Sequence, residues 1–211
     1  MGRSIRSVLI DGWWYWGASD TCGIKFSQDG TGELVCGHGM SLFIAAIFDW
    51  EPRTDQDDTL LEKVVGNGSE NIPTVGLKLT LTKRRMPWYG NMPTDGWELH
   101  DKNLTQNAFT PKIYTLQFEQ GTFPVIANTT SSLCHWYSLH VKFNPSPYPP
   151  LDEWAMKSPA EGHKYWERKD FYREQIEGDV YYDPESGVSR REEMEGLKAE
   201  LARKRDFRRM A

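Results

Sequence analysis

The segment GWWYWG, residues 12–17, places four consecutive aromatic side chains between two glycines, and three of the four are tryptophans. Aromatic residues are enriched in β-strands, where burying one ring stabilises a fold by about 2–3 kcal/mol. Successive side chains of a strand point to opposite faces. We therefore expect Trp14 to pack in a core, and one of Trp13 and Trp16 to line the interior while the other covers the outside. This alternation argues against a continuous stacking surface for nucleic-acid bases.

Composition limits the classes of function. The chain has 211 residues and a net charge of −5, which gives no general attraction to nucleic acid or to anionic lipid. The apolar run Val8–Ile10 is too short for a signal peptide or a membrane span. Three cysteines without a CxxC pair favour a reducing compartment. We expect a cytoplasmic or nuclear protein that does not associate with membranes.

Alternating hydrophobicity continues outward from this segment. Period-two patterns cover residues 75–82, 113–118 and 136–143, whereas Ser41–Trp50 is apolar on both faces and is read as a buried strand, with a helix as the alternative. Asp29-Gly30 stands between two apolar runs and predicts a hairpin turn. We count six or seven strands and predict a mainly β fold of antiparallel strands, a closed barrel or a sandwich.

Composition changes near residue 145. We assign residues 1–145 to the β-barrel, 146–157 to a proline-rich linker and 158–211 to a charged helical extension. A capping box at 158–161 predicts a helix that runs to about Ile176, and a second capping box at 189–192 predicts one that reaches about Arg209.

The order Gly12-x-Trp14, then a strand and an Asp-Gly turn, resembles the start of calycins, the superfamily of lipocalins and fatty-acid-binding proteins. The resemblance covers residues 8–143. It implies an antiparallel up-and-down barrel whose floor is closed by Trp14, and a basic residue on the final strand that packs on this ring, for which Lys142 is the candidate. The phrases DGTGEL and LFIAAIFDW also resemble uncharacterised proteins of filamentous fungi.

A calycin-like cavity implies a hydrophobic small molecule as ligand. The side chains expected to bind it are Trp14, Trp16, Phe26, Tyr114 and Tyr137. Two further residues are candidates for proton transfer. His135 shares a strand face with Tyr137 and titrates near neutral pH, and Asp49 interrupts an apolar run, where burial would raise the pKa of its carboxyl group. The alternatives are a histidine satisfied at a strand end and an aspartate that faces solvent.

The sequence lacks the motifs of several common metal-binding, hydrolase and nucleotide-binding sites. The five histidines show neither HxH nor HExxH spacing, and no G-x-S-x-G or phosphate-binding glycine loop is present. We therefore predict neither a metal site nor a cofactor. Cys134 precedes His135, but neighbours on a strand point to opposite faces, which weakens a thiolate–imidazole pair.

Two functions follow as hypotheses. In the first, the barrel binds an apolar or aromatic small molecule, and the resemblance extends this to a cofactor-free cyclase or isomerase of fungal secondary metabolism. In the second, the barrel is solidly filled and the protein acts as a non-enzymatic scaffold that contacts a protein partner through 189–210. The basic run 202–210 follows glutamates on the same predicted helix, so intrahelical pairing explains it better than nucleic-acid binding.

Overall fold

A computed structural model describes residues 3–17, 21–39, 41–63, 74–87, 99–126 and 133–181. The strands are β1 Trp13–Tyr15, β2 Cys22–Phe26, β3 Thr31–His38, β4 Ser41–Pro52, β5 Thr74–Arg85, β6 Lys112–Ile126, β7 Leu133–Asn144 and β8 Asp170–Tyr181. The α-helices are α1 Ile5–Ile10, α2 Asp55–Leu61, α3 His100–Asn103 and α4 Lys157–His163. Short 3₁₀ turns occupy Gln106–Phe109, Leu151–Glu153 and Tyr165–Glu167.

The eight described strands form one closed antiparallel sheet in consecutive order. The ring closes where Tyr15 of β1 pairs with Tyr172 of β8. The prediction of a mainly β fold with antiparallel strands in a ring is therefore confirmed, with more strands than were counted. The calycin-like assignment stays a prediction.

The interior follows from the register of the strands. Ile24, Leu34 and Ala46 pair in sequence across β2, β3 and β4, and all three are buried. Because side chains alternate, every second residue of these strands adds to one apolar core. That core extends around the ring through Leu77 of β5 and Leu116 of β6.

One end of the ring, which we call the α1 end, is covered by the amino-terminal helix. Ile5, Val8 and Leu9 of α1 are buried against the core. Gly12 follows with φ +110°, a conformation that side-chain-bearing residues rarely adopt, and it turns the chain from α1 into β1. Trp14 then enters the core, and its indole nitrogen donates a hydrogen bond to the carbonyl oxygen of Leu9 at 3.2 Å.

The opposite end, which we call the cysteine end after Cys22 of β2 and Cys36 of β3, is covered by residues 145–169. This segment contains the predicted linker, yet Tyr148 and Trp154 within it are buried. The Tyr148 hydroxyl donates to the carbonyl oxygen of Val35 at 2.9 Å. The predicted linker thus packs on the sheet.

The predicted helix from residue 158 is wrong beyond His163. Helix α4 ends there, Lys164 adopts φ +47°, and the chain returns to the sheet as β8. Phe171 and Arg173 of β8 are buried on either side of half-buried Tyr172, a strand pattern that the surrounding charges conceal. Residues 182–211, with the predicted second helix and the partner segment 189–210, lie outside the described residues.

The interpretation of Ser41–Trp50 as a strand is confirmed by β4. In the part of the chain that the structure describes, no helix has both the length and the apolar character needed to cross a membrane.

Candidate functional site

Two cysteines face each other at the cysteine end. Cys22 and Cys36 are direct partners in the β2–β3 ladder, and their side chains are only 1% and 0% exposed. The hairpin turn at Ser27–Gly30 sets this register. There Asp29 accepts hydrogen bonds from the backbone and hydroxyl of Thr31, at 3.0 and 2.6 Å. In the observed register, Cys22 and Cys36 each lie seven positions from Asp29 and pair directly.

The buried side chain of Arg168 contacts the sulfur of Cys22. Arg168 Nη1 donates to the Cys22 sulfur at 2.8 Å, and the thiol form of Cys22 can donate to the carbonyl oxygen of Gly37 at 3.3 Å. Arg168 is 8% exposed and comes directly after the 3₁₀ turn Tyr165–Glu167. Its backbone carbonyl accepts a 2.6 Å hydrogen bond from the Ser146 hydroxyl, so the covering segment holds the arginine in place.

Two aromatic rings enclose the Arg168 guanidinium. Its central carbon lies 3.7 Å from the ring centroid of Trp16 and 4.4 Å from that of Tyr165. Cation–π contacts of this kind are strengthened when the cation is desolvated. Trp16 remains half-buried, so the indole is the part of this arrangement that reaches the surface.

The two thiols differ in acidity. The hydrogen bond from Cys36 and the positive charge of Arg168 lower the pKa of Cys22 to about 6, although burial opposes this shift. Burial raises the pKa of Cys36 well above its ordinary value. At neutral pH the pair therefore consists of a Cys22 thiolate and a Cys36 thiol, which is the arrangement of an activated nucleophile beside a proton donor.

Two histidines stand at the rim of the cysteine end. His38 ends β3, His163 ends α4, and their ring centroids are 4.1 Å apart. The ring centroids of His163 and Tyr165 are also 5.5 Å apart. Partial burial, with the nearby His38 and Arg168, lowers the pKa of His163, so this imidazole is neutral at neutral pH.

Of the five predicted ligand-binding residues, Trp14, Phe26 and Tyr114 belong to one core cluster against which Trp16 packs, and their role in binding stays a prediction. Phe26 is packed in the interior between Phe48 and Trp50, with ring centroids at 5.3 and 5.5 Å. Tyr114 is buried in the core, and its pKa is raised by burial and by the charge of Glu153. Tyr137 lies outside the main core cluster.

Tyr137 packs on Tyr172, with the two ring centroids 5.7 Å apart. Trp14 is at the α1 end and Trp16 is at the cysteine end.

The two predicted catalytic residues contact different partners. Asp49 is exposed and forms an ion pair with Arg84, which agrees with the alternative of a solvent-facing aspartate and not with a carboxyl group buried beside aromatics. The reason is strand alternation, because Phe48 and Trp50 take the inward positions. Half-buried His135 has Nδ1 2.9 Å from the Gln175 side-chain nitrogen on β8, and its catalytic role stays a prediction.

The basic residue that packs on Trp14 is Arg173, not Lys142. The Arg173 guanidinium lies 4.5 Å from the Trp14 ring centroid, whereas Lys142 is exposed. Arg173 Nη2 is 3.9 Å from a carboxylate oxygen of Asp11, and burial lowers the pKa of Arg173. Lys142 is the wrong candidate because the sequence pattern predicts a helix where β8 forms.

Among the described residues, no group of three or more His, Cys, Asp or Glu side chains is placed to hold a metal ion. No family model matches the chain, and neither a curated protein nor a solved structure matches it.

Proposed function

We propose that this chain is a calycin-like protein that binds an apolar, aromatic small molecule at the cysteine end of its closed sheet. The observation that carries the proposal is the half-buried indole of Trp16, held over the buried cation of Arg168. A ring fixed in this way offers an apolar contact surface with little loss of conformational freedom on binding. The neighbouring rings of His38 and His163 add polar groups at the same rim.

The arrangement of the α1 end supports the calycin-like part of the proposal. Eight antiparallel strands follow one another around the ring, and α1 covers the end where Trp14 enters. Arg173 of the last strand packs on Trp14, which matches the pairing that the family resemblance implies. Members of that family bind small hydrophobic molecules, and this makes ligand binding the first function to test.

The packing of the interior favours a position near the rim for the proposed ligand. A Cβ atom added to Gly32 would clash with Cζ of Phe48, so this ring occupies the space above the glycine. Phe26 fills the neighbouring volume against Phe48 and Trp50. A ligand beside Phe26 would have to displace these rings, whereas contact with Trp16 displaces none of them.

The proposal extends to cofactor-free isomerase or cyclase activity. Enzymes of this type hold one reactive conformer and need few proton-transferring groups. Neutral His163 at the rim and Cys22 at the same end are the groups proposed to transfer protons. His163 and Cys22 would then take the proton-transfer roles that the sequence suggested for His135 and Asp49.

Tryptophan fluorescence tests the proposal. We expect planar polycyclic and polyketide-like compounds to quench the wild-type protein, and Trp16→Phe to remove most of the quenching. Trp13→Phe is the matched control, because Trp13 is also half-buried but stacks on Tyr15 at 6.0 Å, away from Arg168. Equal quenching in the two variants, or none in the wild type, contradicts binding at Trp16.

A second candidate function is supported by the same close packing. A filled interior favours a scaffold that contacts a protein partner through 189–210. In this segment Met194, Leu197 and Leu201 are spaced by three and four residues, which predicts an apolar stripe along a helix. Leu197→Asp with Leu201→Asp would then abolish association measured by analytical ultracentrifugation with a candidate partner. Unchanged association would contradict a contact through this stripe.

A further inference from the structure

We propose that Cys22 and Cys36 form a covalent modification site, in which a small hydroperoxide converts the two thiols into a disulfide between β2 and β3. This inference does not depend on the proposed ligand. It rests on the register of the two strands, on the hydrogen bonds to Cys22, and on what surrounds the two sulfurs.

The backbone geometry permits the bond. Residues directly opposite on antiparallel strands have Cα atoms about 4.5–5.5 Å apart, and disulfides span Cα distances of about 4.4–6.8 Å. Cys22 and Cys36 are such partners, and both side chains are buried on the same side of the hairpin. The bond therefore needs rotation of the side chains and no change of register. Cys134 pairs with Ile126 and Val180 on β6 and β8, so its backbone is placed away from β2 and β3.

The surroundings activate one sulfur and keep the other protonated. Arg168 Nη1 donates to Cys22 at 2.8 Å, and the Cys36 thiol donates to the same sulfur. The other ionisable groups that face the pair are the hydroxyls of Tyr148 and Tyr165, and burial raises the pKa of both, so both stay neutral. Cys22 is therefore the attacking thiolate, and Cys36 is the thiol that resolves the intermediate.

The two steps balance. The Cys22 thiolate attacks one oxygen of the hydroperoxide, the O–O bond breaks, and the sulfur becomes a sulfenic acid while the leaving oxygen takes up a proton as water or alcohol. The Cys36 sulfur then attacks the sulfenic sulfur, the S–O bond breaks, and water leaves with the Cys36 proton. Two thiols have lost two electrons, and the peroxide has gained them.

Burial restricts the oxidant to a small one. With Cys22 only 1% exposed, a reagent as large as glutathione disulfide cannot reach the sulfur in the folded protein, whereas hydrogen peroxide is close to water in size. Oxidation would tie β2 to β3 and would leave the Arg168 guanidinium without its anionic partner. The cysteine end would then differ in charge between the reduced and the oxidised protein.

Thiol counting with mass spectrometry tests the proposal on the full chain. We expect stoichiometric hydrogen peroxide at pH 7 to remove two of the three cysteine thiols. The protein should lose the mass of two hydrogen atoms, and a non-reduced digest should join the peptides that contain Cys22 and Cys36. Cys134→Ser is the matched control and should react at the wild-type rate. A linkage that involves Cys134, or faster oxidation by glutathione disulfide than by peroxide, overturns the proposal.

Three variants separate the roles of the neighbours. Cys36→Ser keeps a hydrogen-bond donor but removes the second sulfur, so Cys22 should stop at the sulfenic or a higher acid without forming the internal bond. Cys36→Ala also removes the donor and should slow the first step. Arg168→Met should slow it about tenfold at pH 7, because less of Cys22 is thiolate. A wild-type rate in Arg168→Met, with the fold intact by circular dichroism, contradicts activation by the arginine.

Discussion

The α1 end and the cysteine end of the sheet each bury an arginine against a tryptophan ring, but the two arginines have different partners. Arg173 lies 4.5 Å from the Trp14 ring, and its nearest carboxylate, on Asp11, is 3.9 Å away. Arg168 lies 3.7 Å from the Trp16 ring and donates to a thiol at 2.8 Å. The same pair of residue types thus closes one end and prepares a reactive sulfur at the other.

Exposure of the two indoles follows the same division. Trp14 is fully buried, and its ring centroid lies 6.2 Å from that of Phe118. Its indole nitrogen donates a hydrogen bond to the carbonyl oxygen of Leu9 in α1. Trp16 is half-buried and belongs to the rim. A cation–indole contact therefore does not by itself mark a functional site. The difference lies in what else the cation touches and in whether the ring reaches the surface.

The largest expected effect comes from shortening the two tryptophans. Trp14→Ala should destabilise the protein by about 3–5 kcal/mol, because it leaves a cavity in the core and removes the packing partner of Arg173. Trp16→Ala should cost about 1 kcal/mol, since part of its ring already meets water. Chemical denaturation of both variants measures the difference. Equal losses would remove the distinction between the two ends.

A smaller, pH-dependent effect is expected from Arg168→Met. At pH 8 the variant should be less stable by about 2 kcal/mol, the usual scale for a hydrogen bond to a charged group. Because the pKa of Cys22 in the folded protein is lowered to about 6, its stabilising contribution is present at alkaline pH and is lost as pH falls through 6. The deficit should therefore shrink at pH 5.

Denaturation curves at the two pH values check this expectation. Cys22→Ser is the background in which the Arg168→Met deficit should no longer change with pH. A deficit of the same size at pH 5 and pH 8 in the wild-type background would mean that Arg168 acts through packing on Trp16 and Tyr165 alone.

The smallest effect is expected at the α1 end. Arg173→Met should leave stability within about 1 kcal/mol of the wild type or raise it, because a buried cation with only a distant counter-charge gains little over an apolar side chain of similar length. Thermal unfolding in parallel with Arg168→Met measures the contrast. A loss above that of Arg168→Met would show that the Asp11–Arg173 pair contributes more than its separation suggests.

The sequence predicted those parts of the fold that depend on local patterns. The Asp29-Gly30 turn, the long apolar strand β4 and the alternating strands β5–β7 follow from turn chemistry and from the period of two. Strand β8 was missed because the capping box at 158–161 and the charges that follow favour a helix. Only the pairing of β8 with β1 and β7 makes these residues a strand.

The candidate site was less predictable. The Asp29-Gly30 turn predicted that the flanking strands pair, but not their register. Cys22 meets Cys36 because the observed loop brings Ser27 opposite Thr31, whereas a two-residue Asp-Gly turn would have placed Cys22 opposite Gly37. Arg168 gave no such signal, because it reaches Cys22 only after residues 145–169 have folded back over the ring. For Asp49 the local pattern was visible but not sufficient. It shows that the residue neighbours aromatic residues along the strand, but it does not decide on which face of the strand the carboxyl group lies.

Closure between Tyr15 and Tyr172 has a consequence for biosynthesis. At about 5–20 residues per second, a ribosome needs roughly 10–30 s to make the chain between β1 and β8. Throughout that interval, the strands already synthesised expose an unpaired edge and the apolar side chains that later become the interior. We therefore expect the nascent chain to depend on chaperones until its last strand has left the exit tunnel.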